Sequence, residues 1–511
     1  MSSLTRRQRR LLFWGLVGLG AALRFAALGS FPPGLNQDEA SAGYEAWSLL
    51  HYGIDRNGYR LPVLLVAWGS GQNALYSYLA IPFIALFGLS PFSLRLPAAL
   101  CGTLSLPLFY AAARRVRGEH FALWALFALA INPWHILLSR WALESNLLPF
   151  CLLAGFSFLL KSEEKGWYLP LAAAFLALSL YAYGTAFLFL ILFLPAACIL
   201  LQPGRRVRWQ QFFAALAVFI LLALPISLCQ LRNALGMEAG HFLGLSLPAL
   251  NETRQSATMF TGFNGILQFL QLLWTQNDGL IWNYAGLYGL FYGKPGLLLA
   301  LAGLGSALYE LYRHRLPRQE LYLLLWLAVS LAAAFFMDVN INRMNMAFLP
   351  VIWLQGRALA LVGRRAAAVL AAVLLLSATL FTDYYYSGYA ENVGRSFYAG
   401  LGSAIEYAAA ESGADDVLFV SYDVNMPYIY VLFYEEIPPE EYRADVTFMN
   451  PGGAFEWVSS VGRWRFGREV PEEAVLAILP AEKAFGLPVE AQFGYWAVVN
   501  TDENNEKGAL S

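Results

Sequence analysis

Runs of about 20 apolar residues recur between residues 11 and 382, each long enough, as a helix, to cross about 30 Å of hydrocarbon. No other feature constrains the fold so strongly. A backbone in lipid has to satisfy its own hydrogen bonds, which leaves a chain of this pattern with helices. Composition agrees: 58% of the 511 residues are hydrophobic and 14% charged, where a soluble domain carries about 25% charged residues. Aromatic residues gather near the ends of the apolar runs, as side chains that prefer the membrane–water interface do. The class is an all-α polytopic membrane protein.

Short basic loops set the threading, because Lys and Arg collect on the cytoplasmic side. Arg6, Arg7, Arg9 and Arg10 put the N-terminus in the cytoplasm, and 11–29 reads as a retained signal-anchor that crosses outward. Residues 94–113 return to Arg114, Arg115 and Arg117, which leaves the run 74–89 interfacial or re-entrant. Further spans follow at 119–138, 146–160, 167–183, 185–201, 210–229, 295–312, 320–337, 344–362 and 366–382, with an external segment at 230–294. That makes about eleven crossings, up to thirteen if the ambiguous runs also span, with the C-terminus outside. The four cysteines lie inside apolar runs with no metal-like spacing, so they read as buried hydrophobes.

The tail differs in charge. Residues 383–511 hold 21 Asp/Glu against 7 Lys/Arg, the mark of a solvated domain. Helical spacing over 397–412 stops at Gly413, and 417–422, 474–479 and 495–500 read as short buried strands. The expected division is a membrane domain, 1–382, with an external loop 30–73 and the external segment 230–294, followed by a small extracytoplasmic α/β domain, 383–511. That domain reads equally as an acceptor-contacting module and as a structural lid.

The threading brings separated ionisable residues to one face, where they are costly and often functional. In the first loop, Asn36 followed by Glu39 forms a capping-box pattern, and the helix it opens ends at Gly53. Asp38 and Glu39 then lie in the first turn, where the macrodipole favours ionised carboxylates. Such a carboxylate can accept a proton from a hydroxyl or hold a divalent cation; capping alone would also account for the pair. Arg140 and Glu144, four apart, fit a helical salt bridge or a grip on an anionic ligand. His135, beside Trp134, reads as an interfacial anchor rather than a metal ligand. Arg343, near Asp338, either pairs two oxygens of a phosphate with its planar fork or snorkels to headgroups.

The runs DEASAGYEAWSLLHYGIDRNGYRLPV, LYSYLAIPFIALFGLSPFSLRLPAALCGT and NPWHILLSRWALESNL, in that order, resemble the GT-C glycosyltransferases. The protein-mannosyltransferase-like branch, glycosyltransferase family 39, is the nearest in pattern and is related to the aminoarabinose transferases. The resemblance covers roughly 10–360 in architecture and is most specific over 36–145. It implies transfer of a sugar from a polyprenyl-phosphate donor to a glycan, lipid or protein acceptor on the outer face of the cell membrane. It further implies Asp38 as catalytic carboxylate with Glu39 supporting it, and Arg343, Arg140 and Arg95 on the donor phosphate. Glu144, His135 and Asp338 take supporting positions. Metal dependence varies among GT-C enzymes, so a divalent ion at Asp38 stays open. The lysine that some aminoarabinose transferases carry late in the first loop is not evident, and Gln72–Asn73 occupies that region. Such a displacement needs cations facing the leaving phosphate and a carboxylate facing the incoming hydroxyl, and a single step inverts the anomeric centre. Two other readings compete: a transporter or flippase for lipid-linked sugars, and a non-catalytic receptor working through its tail. Transporters tend to show internal repeats and mid-membrane charges, whereas here the charges gather at the edges.

Overall fold

A computed structural model describes residues 5–251, 260–453 and 455–501, so part of the segment 230–294 and the last residues of the tail lie outside the described residues. The apolar runs form helices, and local chemistry marks where they begin and break. Helix Arg6–Phe25 opens on a capping box in which Thr5 accepts from the Gln8 amide. Helix Pro91–Ala130 is interrupted at Gly118 (φ 81°, ψ 179°), just after Arg114, Arg115 and Arg117. Only glycine adopts that conformation without a Cβ clash, so the basic loop expected there is a one-residue break.

Among the described residues six helices are long and apolar enough to cross a membrane, including Pro91–Ala130, Trp209–Ala234 and Arg364–Ser396. Leu75–Phe87, Gly166–Ala182 and Thr185–Leu201 are apolar but shorter. The chain is a multi-pass membrane protein. Eleven crossings require the short helices to count: Thr185–Leu201, 17 residues, rises about 25 Å.

The chain divides into two compact units, and both are discontinuous in sequence. The first comprises Met1–Ala27, Pro97–Ser227 and Gln255–Tyr389. Its helices pack around Trp134, Trp326 and Trp353, and a partly buried ionic cluster ties four of them. Arg357 reaches Glu320 at 2.7 Å and Glu310 at 2.9 Å, and Arg117 reaches Glu320 at 2.6 Å. Amphipathic helix Phe263–Thr275 leaves Phe263, Leu267, Leu270 and Trp274 exposed.

The second unit comprises Leu28–Leu96, Leu228–Arg254 and Ala390–Ser511. The linear boundary expected at 382/383 therefore falls near one edge of this unit, while the loop 30–73, expected to be external, packs with the tail. A mixed seven-stranded sheet forms its centre. Strand Val417–Ser421 lies in the middle, parallel to both Ala474–Pro480 and Trp464–Gly467. Trp496–Asn500 and Val489–Phe493 extend one side antiparallel, and Val458–Val461 and Thr447–Phe448 the other. The expected tail helix starts later, as Leu401–Glu411, because Gly400 takes φ 92°. Gly413 is not in the left-handed region; its amide bonds the Asp416 carboxylate at 2.7 Å instead.

The loop 28–96 is built into this domain. Helix Pro427–Glu435 lies against helix Gln37–Tyr52, and Gly43 permits that approach: a Cβ there would sit 2.6 Å from the Phe433 ring. Tyr44 donates its hydroxyl to the Ile437 carbonyl at 2.7 Å, Tyr430 donates to the Leu35 carbonyl at 3.1 Å, and the Leu35 amide bonds the Phe397 carbonyl.

Candidate active site

In the second unit the acidic pair sits on the expected helix N-terminus. Asn36 accepts from the Asp38 amide at 2.9 Å, Glu39 accepts from the Asn36 amide at 3.2 Å, and the helix ends at Gly53 with φ 72°. The two acids are not equivalent. Glu39 is fully buried and receives Arg95 bidentately, at 2.9 Å from Nε and 3.0 Å from Nη2. Asp38 is half-buried. Its position on the first turn is therefore set by a neighbour that an arginine fork holds in one orientation.

Arg95, expected on a donor phosphate, is turned inward. Besides Glu39 it donates to the carbonyls of Pro32 and Gly34 at 2.7 Å each. It thus ties the chain entering the helix to the helix itself. Gly34, at φ 76°, could not carry a side chain here, since a Cβ would lie 2.0 Å from the Phe397 carbonyl oxygen. Tyr430 stands beside the pair. Burial first, then the neighbouring tyrosines and the charges of Asp38 and Glu39, hold its phenol well above the usual range, so it stays a donor.

Beneath the helix lies a second acidic cluster that sequence reading missed. Arg56 Nε is 3.1 Å from Glu45 Oε1, and the Arg56 amide donates to Glu45 Oε2 at 3.0 Å. Asp55 accepts from the amides of Asn57 and Tyr59. The guanidinium stacks on Trp68 at 5.1 Å. Burial pushes Glu45 up to about 8 and Asp55 up to about 6, with Arg56 offsetting only part of the cost. The hairpin of Leu64–Ala67 and Ser70–Asn73 closes over this cluster, and Gln72 donates from it to the Asp38 carbonyl at 3.2 Å.

The other expected residues belong to the first unit. Helix Pro133–Leu138 ends before Arg140, and Glu144 begins a separate turn, Glu144–Leu147. The two therefore do not share the continuous helical face expected from their spacing. Arg140 is buried and donates to the carbonyls of Leu23 and Ala26 and to the Tyr385 hydroxyl, with Tyr385 and Tyr386 stacked on its plane. His135 is not an interfacial anchor. It is buried, with Nδ1 2.7 Å from Arg24 Nη2; arginine only donates, so Nδ1 accepts and Nε2 carries the proton. Arg24 went unnoticed in the first apolar run, although a lone ionisable residue in a span was the signal. Arg343 lies in the turn Ile341–Met344, 3.5 Å from the Asp338 carboxylate.

Among the described residues no group of three or more His, Cys, Asp or Glu is gathered as a metal site. Both oxygens of Glu39 are taken up by Arg95.

A family model described as dolichyl-phosphate-mannose-protein mannosyltransferase matches residues 73–228. The structure of ArnT from Cupriavidus metallidurans bound to undecaprenyl phosphate aligns with a TM-score of 0.61 at 14% identity, over 97% of this chain and 98% of that one. Its apo state aligns with a TM-score of 0.57 at 14% identity, over 96% and 97%. No curated protein sequence matches this chain significantly. At such identities the likeness is one of fold, and the fold is that of the GT-C glycosyltransferases, as the motif order implied.

Proposed function

We propose that the chain is a membrane glycosyltransferase that moves a sugar from a polyprenyl-phosphate donor to an acceptor hydroxyl, with inversion. The observation that carries this is the first turn of helix Gln37–Tyr52. There a half-buried aspartate follows a capping residue and precedes a glutamate clamped by Arg95. A carboxylate so oriented suits a general base, which has to meet the acceptor proton at a fixed distance. Asp38 takes that proton as the acceptor oxygen attacks the anomeric carbon and the bond to the phosphate oxygen breaks. Glu39 and Arg95 position Asp38. Arg343, beside Asp338, and Arg140, oriented by Tyr385, are the proposed cations for the leaving phosphate, with Glu144 and His135 in supporting positions. The matched protein's structure contains undecaprenyl phosphate, which supports a lipid phosphate as carrier. The site lies on the extracytoplasmic side, with the N-terminus in the cytoplasm, as the basic loops indicate.

The test is direct. The purified full chain, incubated with a panel of polyprenyl-phosphate sugars and candidate acceptors, gives a glycosylated product by mass spectrometry and releases the polyprenyl phosphate. Movement of intact lipid-linked sugar across vesicles without cleavage would instead identify a flippase.

A further inference from the structure

We infer that Gln72 is a positioning residue for Asp38, and that Arg56 and Ser41 fix its orientation. The inference rests on the reading of Asp38 as the base that meets the acceptor.

Three side chains make an ordered relay. Arg56 Nη2 donates to Ser41 Oγ at 3.1 Å, Ser41 Oγ donates to Gln72 Oε1 at 2.9 Å, and Gln72 Nε2 donates to the Asp38 carbonyl at 3.2 Å. The direction is dictated by chemistry. A guanidinium has donors only, so Ser41 accepts from it and its single proton points to Gln72. The carboxamide oxygen is thereby assigned to Ser41 and the NH2 to Asp38. All three side chains are buried, Gln72 at 5% exposure, Arg56 at 2% and Ser41 at 0%. Bonds in such a chain polarise one another.

Each end is anchored. Arg56 is held by Glu45 from the helix, by the Val66 carbonyl from the hairpin at 3.3 Å, and by stacking on Trp68. Gln72 pairs with Leu65 in the hairpin register, so its side chain leaves the strand in a set direction. The far end is the telling one. Asp38 lies within the helix, where its carbonyl already faces the amide of Ala42. The Gln72 bond is thus additional to what the helix needs, and it locates the residue that bears the reacting carboxylate. Glu39 and Arg95 fix the same turn from its other neighbour, so the Asp38 backbone is held through both.

The measurement is steady-state transfer by the full chain, with Gln72→Met, Ser41→Ala and Asp38→Asn in parallel. Gln72→Met keeps the length and removes both bonds, and a displaced base lowers kcat by about tenfold or more. Donor and acceptor KM stay close to those of the parent, while the thermal midpoint falls modestly because a buried hydrogen-bonding group is stranded. Ser41→Ala, which deletes one hydroxyl and leaves the fold intact, gives a smaller loss of the same kind. The double variant falls no further than Gln72→Met, because both act on one link. If Gln72→Met and Ser41→Ala keep full kcat while Asp38→Asn is inactive, the relay only staples the hairpin and the inference is overturned. If Asp38→Asn itself keeps full activity, the underlying reading of the base has failed.

Discussion

At the scale of single residues, neighbouring carboxylates in one helical turn have different fates. Glu39 is buried against Arg95 from both oxygens, whereas Asp38 stays half-buried. Removing one member of a buried pair strands the other charge, which costs about 3–5 kcal/mol. Arg95→Ala should therefore lower the thermal midpoint sharply and take activity with it. Asn36→Ala loses only a cap, at about 1 kcal/mol, and should shift the midpoint modestly. Equal, small shifts for both would mean that Arg95 does not hold Glu39. The acidic pair and its cap were legible in the sequence because a capping box is written within four residues. The partner of Glu39 was not, since Arg95 lies 56 positions away and read as one more basic residue for a phosphate.

Elements built from local signals matched their sequence, while those built from distant pairing did not. Helix Gln37–Tyr52 and the buried strands of the tail follow from caps and apolar runs. The hairpin 64–73 carries Gly and Ser at its tip and was silent, as were the polar strand Val458–Val461 and the edge strand Val489–Phe493. The cluster under that hairpin yields a pH prediction. Below its ordinary value of 4.5 Glu45 is protonated in both states; above it the unfolded chain releases the proton, while the folded chain keeps it up to about 8. Stability therefore falls as pH rises from 4.5 to about 8, and Asp55, raised from 3.8 to about 6, adds a fall of the same sign. Glu45→Gln should flatten that slope in thermal unfolding measured across the window. An unchanged slope would assign it to other groups.

For the molecule as a whole, composition and basic loops were enough for a multi-pass helical protein with a separate acidic tail. They could not reveal that the loop 30–73 and the tail form one compact unit, because that union is made by contacts such as Tyr44 with Ile437 and Tyr430 with Leu35, about 400 positions apart. A chain ending at Tyr389 should accordingly insert in membranes yet lose transfer, and its loop 30–73 should become open to protease. Protection of that loop in the shortened chain would contradict the union. Proposed sugar transfer through Asp38 is open to a single side-by-side assay. The parent and Asp38→Asn are each incubated with the polyprenyl-phosphate sugar that the parent uses, and product is counted by mass spectrometry. The substitution keeps the shape and removes the base, so transfer should fall about 100-fold or more with expression, insertion and thermal midpoint unchanged. Product formation at the parent's rate would contradict it.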